Sequence, residues 1–228
     1  MEKMTNKVKN TERGRFFSSW SGGKDSCLAF FKAKEAGFEP SILFTALDSD
    51  GISTRAHGFE KDIVEKQAEM MDVDIYTVAA GWGKYEGKLL EFMKMVKSKG
   101  VDYGVFGDID LESHRVWLEN ICKKADIKPI FPLWNMEREK VVKEFLENGF
   151  KTRIAACKKE YKMEDLLGKD LNFDTIEELK KRNIDVAGEN GEFHTIVYSG
   201  PIFIKNIEIE ECGTVENEKN IIKKYRVK

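Results

Sequence analysis

Two short segments bring together residue types that can act on a bound ligand. The first is Ser21-Gly22-Gly23-Lys24-Asp25-Ser26. Adjacent glycines let the backbone turn tightly and bring N–H groups close to a ligand. A helix starting near Ser26 adds the positive end of its dipole to those donors. Ser21 and Ser26 supply hydroxyls and Lys24 a point charge, so the segment suits a polyanion, most simply a pyrophosphate. It is not a Walker A loop: Ser18 stands where that pattern needs Gly, and Asp25 where it needs Ser or Thr. The adjacency of the glycines also excludes GxGxxG. The bland alternative is a tight strand-to-helix turn with an Asp near the helix start.

The second segment is Gly188-Glu189-Asn190-Gly191-Glu192-Phe193-His194-Thr195. Two carboxylates beside an imidazole can bind a cation or ammonium, or move protons. Composition alone favours a polar loop opening a hairpin.

The elements that must position these segments follow from apolar spacing. Phe16, Phe17 and Trp20 form a short strand that ends in the first segment. Cys27, Leu28, Phe31 and Ala36 recur at helical spacing, and Gly37 stops that helix. The near-continuous apolar run Ser41 to Leu47 reads as a strand covered on both faces. A helix over Lys61 to Met71, a strand over Asp74 to Val78 and a helix over Glu86 to Lys99 come next. Tyr103 to Phe106 is a fourth strand running into Gly107-Asp108-Ile109-Asp110. A helix over Glu112 to Lys124 and an extended segment from Pro129 to Leu133 complete the series.

Such alternation means an α/β fold, a Rossmann-like open parallel sheet of five strands with helices on both faces. Ligands of such sheets bind beyond the carboxyl ends of the strands, where Ser21–Ser26 and Gly107–Asp110 both fall. After Trp134 the pattern changes: helices over Glu137 to Glu147 and Asp174 to Lys181, a strand over Phe150 to Ala156, and an all-β stretch from Gly188 to Ile209 turning at Gly200-Pro201. The expected division is a flexible lead over 1–14, a nucleotide domain over 15–132 and a smaller α+β substrate domain over 133–228. Val215 to Lys228 reads as a surface strand or tail.

Composition bounds the function. In 228 residues the hydrophobic fraction is 41%, enough for a packed core. The net charge of −2 argues against a nucleic-acid partner bound by bulk positive charge. No apolar run has the length of a membrane span, and Met1 to Arg15 lacks the apolar stretch of a signal peptide, so a cytoplasmic protein is expected. The four cysteines and three histidines are scattered, with no CxxC and no close ligand pair for zinc.

SGGKDS after a first strand resembles the PP-loop of the ATP pyrophosphatase superfamily. Those enzymes cleave ATP between the α and β phosphates, adenylate a substrate oxygen, and let a nitrogen or sulfur nucleophile displace AMP. The resemblance implies that Ser21, Gly22, Gly23, Lys24, Asp25 and Ser26 bind ATP and that Asp25 positions Mg²⁺. It also implies that Gly107 and Asp108 close over the nucleotide and that the adenine sits near Ala46 and Leu47. Together with GENGEFHT, the loop resembles the diphthine–ammonia ligase family over about residues 15–210, matching each fixed position of that family's G-E-x-G-E-aromatic-x-T segment. That family amidates the carboxylate of diphthine, a modified histidine on elongation factor 2, using ATP and ammonium.

By that resemblance Glu189, Glu192, His194 and Thr195 line the substrate side, with Lys24, Asp25, Glu189, Glu192 and His194 as the catalytic set. Glu192 is expected to hold ammonium or accept its proton. The chain departs from the family at Gly107-Asp108-Ile109-Asp110, followed by His114 and Arg115, and at Arg55-Ala56-His57-Gly58 where a Tyr-His pair is usual. Both regions face the expected crevice, which puts His57 on the substrate side and leaves the acyl acceptor open. A homodimer is compatible with the reading. Competing readings are a transfer-RNA sulfur or nitrogen transferase, which would draw on Cys122 with Cys157, and a non-catalytic nucleotide-binding module. Trp82 reads as a loop-packing residue or a lid, and Asp108 with Asp110 as a helix-starting turn or a metal pair.

Overall fold

A computed structural model describes residues 13–54 and 58–228. The flexible lead therefore falls almost wholly outside the described residues, as do His57 and the side chain of Trp82.

The first sheet is parallel and has the order β3-β2-β1-β4-β5, built from β1 (Arg15–Ser19), β2 (Glu39–Leu47), β3 (Asp74–Ala79), β4 (Val101–Val105) and β5 (Lys128–Ile130). Successive strand side chains point to opposite faces. Phe16 accordingly joins one apolar cluster with residues of α1 (Lys24–Glu35) and α2 (Lys61–Met71). Phe17 joins another with α3 (Tyr85–Lys97) and α4 (Glu112–Lys124). Both faces are thus covered, as the apolar strand Ser41 to Leu47 implies. The first helix begins at Lys24 rather than near Ser26, so the lysine itself lies in the first turn.

The second sheet is antiparallel, of order β7-β6-β9-β8, with β6 (Lys151–Lys158), β7 (Phe193–Ser199), β8 (Ile209–Glu216) and β9 (Asn220–Val227). It is accompanied by α5 (Arg138–Glu147) and by α6 (Phe173–Lys181), whose Asn172 cap accepts the Thr175 N–H at 2.9 Å. Two expectations need correction. The stretch from Gly188 to Ile209 holds one strand, β7, with no strand over residues 200–208; the expected turn at Gly200 is present, and a Cβ there would stand 2.2 Å from the Phe150 ring, so the chain turns there only as glycine. Of the two readings for the end of the chain, strand holds and tail does not. β9 lies between β6 and β8, and its Ile221 and Tyr225 are buried although charged residues flank them.

The two sheets share apolar packing. Phe16, Leu28 and Val64 belong to one cluster with Phe145, Ile154 and Val197. Phe59 and Ile63 pack with Ala155, Ile196 and Tyr225. The second sheet is thereby held against α1 and α2, at the edge where the polar loops emerge. Among the described residues no helix is long and apolar enough to cross a membrane.

Candidate active site

A cavity of about 820 Å³ opens at the carboxyl ends of β1, β2 and β4 and is closed from the other side by the 188–195 segment. Both chemistry-bearing segments therefore meet in one place. Its walls include Ser21, Lys24, Asp25 and Ser26 from the first loop, and Glu189, His194 and Thr195 from the second.

The first loop is braced from behind. Gly22 has φ +80, and a Cβ there would lie 2.7 Å from Gln67 Oε1. Its carbonyl accepts the Val197 N–H at 3.0 Å and Gln67 Nε2 at 2.9 Å. Gln67 also donates to the Val197 carbonyl at 2.7 Å and accepts Trp20 Nε1 at 2.9 Å. The side chain is fully buried with its polar atoms all engaged, as a buried amide requires. No motif in the sequence marks this residue. The available signal was a Gln on the otherwise apolar face of α2 made by Ile63, Val64, Ala68 and Met71. In the loop itself, Ser21 Oγ lies 3.1 Å from Ser26 Oγ and accepts the Gly23 N–H at 3.3 Å.

Lys24 joins the two segments. Its N–H donates to Thr195 Oγ1 at 3.1 Å. Its ammonium, on a residue only 4% exposed, donates to Asp25 Oδ2 at 2.8 Å and to the Ala187 carbonyl. The other oxygen of Asp25, Oδ1, is buried and has no hydrogen-bond partner among the described residues.

The carboxylates of the second segment differ in surroundings. Glu189 lines the cavity, and burial together with the charge of Asp25 pushes its carboxyl up to about 7, against the opposing charges of Lys24 and Arg138. His194 lines the same wall; burial and the charges of Lys24 and Lys158 push it down to about 4, so it is neutral at pH 7. Glu192 is placed differently. It is only 3% exposed and is not among the cavity residues. Its Oε2 accepts the Asn190 N–H at 3.0 Å and its Oε1 accepts Asn190 Nδ2 at 2.9 Å, so both oxygens brace their own turn.

On the facing wall, a Cβ at Gly107 would lie 3.0 Å from Asp25 C and Ser26 N, so glycine there lets the β4 loop touch the start of α1. Asp108 pairs with His114 Nδ1 and holds that imidazole above its usual range. His114 stacks on Trp117 at 5.3 Å, and Trp117 on Tyr85 at 5.7 Å, an aromatic ladder in the cavity wall. Ala46 lines the cavity, whereas Leu47 is buried outside it. Asp110 does not pair with Asp108; Arg138 binds it.

Cys122 and Cys157 lie in different apolar clusters, and burial pushes their thiols up to about 12 and about 11. Neither lines the cavity, and buried thiols of this kind are poor nucleophiles. Among the described residues no group of three or more His, Cys, Asp or Glu is arranged to hold a metal. The unpaired Asp25 oxygen beside Glu189 nevertheless fits a hard cation that takes its remaining ligands from a polyphosphate and water.

Residues 14–129 match the family model described as the diphthamide synthase N-terminal domain, and residues 137–227 match the diphthamide synthase C-terminal domain. The chain is 28% identical to a diphthine–ammonia ligase of Bos taurus over 226 residues, covering 86% of this chain and 82% of that one. The Homo sapiens diphthine–ammonia ligase gives the same identity and coverage. A crystal structure from Methanocaldococcus jannaschii, described as a predicted subunit of tRNA methyltransferase, aligns with a TM-score of 0.45 at 15% identity, over 82% of this chain and 98% of that one.

Proposed function

Because the chain belongs to the diphthamide synthase family, we propose that it is an ATP-dependent ligase that joins ammonia to the carboxylate of diphthine, releasing AMP and pyrophosphate. One observation carries this reading. The loop suited to pyrophosphate and the carboxylate-bearing segment form a single cavity, joined where Thr195 accepts the Lys24 N–H at 3.1 Å.

In the reaction a carboxylate oxygen of the acceptor attacks the α-phosphorus of ATP, and the bond to pyrophosphate breaks. Ammonia then attacks the acyl carbon of the adenylate and AMP leaves. The Ser21–Ser26 loop and the N-terminus of α1 hold the departing pyrophosphate through backbone N–H groups and the Ser hydroxyls. Lys24 offsets the charge that builds on the leaving group. Ala46 supports the adenine, and Gly107 and Asp108 flank the nucleotide. Mg²⁺, when bound, would neutralise phosphate charge, and Asp25 Oδ1 is the atom to hold it.

Attack needs neutral NH₃, so a group near the bound ammonium must take its proton. Glu189 fits that role better than Glu192. It faces the cavity and favours its protonated form more than an exposed carboxylate does, whereas the Glu192 oxygens are already used by Asn190. His194, neutral at pH 7, is a polar wall for the acceptor rather than an anchor for its charge. The acceptor is a protein side chain, diphthine on elongation factor 2, and the enzyme works beside it in the cytoplasm. Incubation with ATP, Mg²⁺ and ammonium, with and without diphthine-bearing elongation factor 2, tests the reading. AMP formation that depends on the diphthine protein supports it. ADP and phosphate as products would exclude it.

A further inference from the structure

One ion-pair network lies beside the cavity and outside the residues assigned so far. Arg138 is the first residue of α5, where a cation opposes the helix dipole, and the preceding Glu137 gives no side-chain cap. The helix itself gains nothing from an arginine there. Its guanidinium instead reaches two loops. Nε donates to Asp110 Oδ2 at 2.6 Å and Nη2 to Asp110 Oδ1 at 2.8 Å, a two-pronged pair with the loop after β4. Nη1 donates to Asp185 Oδ2 at 2.5 Å.

Asp185 passes the connection on. Its Oδ1 accepts the Ala187 N–H at 3.0 Å and its Oδ2 the Glu189 N–H at 3.2 Å. Ala187 in turn offers its carbonyl to the Lys24 ammonium. The Asp185 side chain is only 14% exposed, so the network is shielded from solvent better than an ordinary surface pair. A planar fork that binds one carboxylate with two donors and a second carboxylate with a third cannot be copied by lysine.

We infer that Arg138 is a positioning residue for the reaction proposed above: it clamps Asp110 to Asp185 and so holds the 185–189 turn, with the Ala187 carbonyl and the Glu189 side chain, against Lys24. The inference rests on the ligase reading for its catalytic consequence but not for the clamp itself.

The two parts are tested separately. Amide hydrogen exchange of the ligand-free full chain reads the clamp. In Arg138→Ala and Asp185→Asn, exchange at Ala187 and Glu189 should rise about tenfold or more, while β1 and α1 keep wild-type protection. Arg138→Lys should fall in between, and Arg226→Ala, which breaks a surface pair with Glu210, should leave the turn unchanged. Unchanged exchange at 185–189 in Arg138→Ala, or an equal rise throughout the chain, would overturn the clamp. Steady-state AMP formation reads the consequence. Arg138→Ala should lower kcat by on the order of tenfold or more and change the KM for ATP by less than about threefold, with Arg138→Lys between wild type and Arg138→Ala. A variant with wild-type kcat, or one that loses kcat only as its KM for ATP rises in step, would refute the positioning role. A wild-type protein that forms no AMP would defeat the ligase reading, and the exchange measurement would still decide the clamp.

Discussion

The hydroxyl of Thr195, on β7 of the antiparallel sheet, accepts the backbone N–H of Lys24 in the first turn of α1, at 3.1 Å. Residues 171 positions apart are thereby locked together at the junction of the two segments that line the cavity. Thr195 is buried, so neither partner exchanges this bond for one to water. Replacing Thr195 with Val leaves a buried N–H without an acceptor and should cost about 1–3 kcal/mol, whereas Ser should cost far less. Denaturant unfolding of the two variants checks this; a Val variant as stable as the Ser variant would contradict it.

Gln67 and Gly22 form the second lock. Gln67→Leu strands the Trp20 N–H and the Val197 carbonyl, and should destabilise the protein by roughly 2–4 kcal/mol. Gly22→Ala must adopt φ +80 and push against Gln67 Oε1, so the phosphate loop shifts. Calorimetry should find ATP binding weakened at least about tenfold in Gly22→Ala, a loss of about 1.4 kcal/mol. Wild-type affinity would show that the loop geometry does not matter to the nucleotide.

Glu189 and His194 should give opposite pH dependences of stability. The carboxyl of Glu189 titrates near 7 in the folded chain against an ordinary 4.5, so the folded state keeps a proton that the unfolded state has lost. Its contribution therefore falls as pH rises from about 4.5 to about 7. His194 titrates near 4 against 6.5, so between those values the unfolded state holds the extra proton and stability rises with pH. Glu189→Gln should gain stability relative to wild type as pH rises over the first window. His194→Gln should lose its advantage as pH rises over the second. Differences that do not vary with pH would mean that neither group is shifted.

The two glutamates of the second segment separate by function. Glu189→Gln should reduce kcat on the order of a hundredfold and remove the limb near pH 7. Glu192→Gln keeps one acceptor for Asn190 and should change kcat by less than about threefold, with a stability loss of about 1 kcal/mol. A larger kcat loss in Glu192→Gln than in Glu189→Gln would return the ammonium role to Glu192. Acid denaturation and steady-state AMP release on the same protein samples make the comparison.

What the sequence reveals here is what lies in consecutive residues. Ser21 to Ser26 is legible because the turn, the hydroxyls and the helix start are neighbours in the chain, and the parallel sheet is legible because its strands are apolar on both faces. Gln67 and Arg138 are not, because their work is done on partners 45 to 130 residues away for Gln67, and 28 and 47 residues away for Arg138. Glu189 and Glu192 are the same residue type three positions apart. The chain turns between them at Gly191, with φ +78, so that one faces the cavity and the other faces Asn190. In β9 the buried Ile221 and Tyr225 are masked by Lys223, Lys224 and Arg226, whose charges make a strand paired on both edges read as a surface strand or tail.

The central claim is that the cavity couples ATP cleavage to amide formation. Its most direct test supplies ¹⁵N-ammonium, ATP and Mg²⁺ with diphthine-bearing elongation factor 2, and follows nitrogen incorporation by mass spectrometry beside AMP release. One ¹⁵N atom should enter the modified histidine for each AMP formed, with both lost in Lys24→Ala and Glu189→Gln. AMP released without nitrogen entering the protein, or nitrogen entering with ADP as the product, would contradict it.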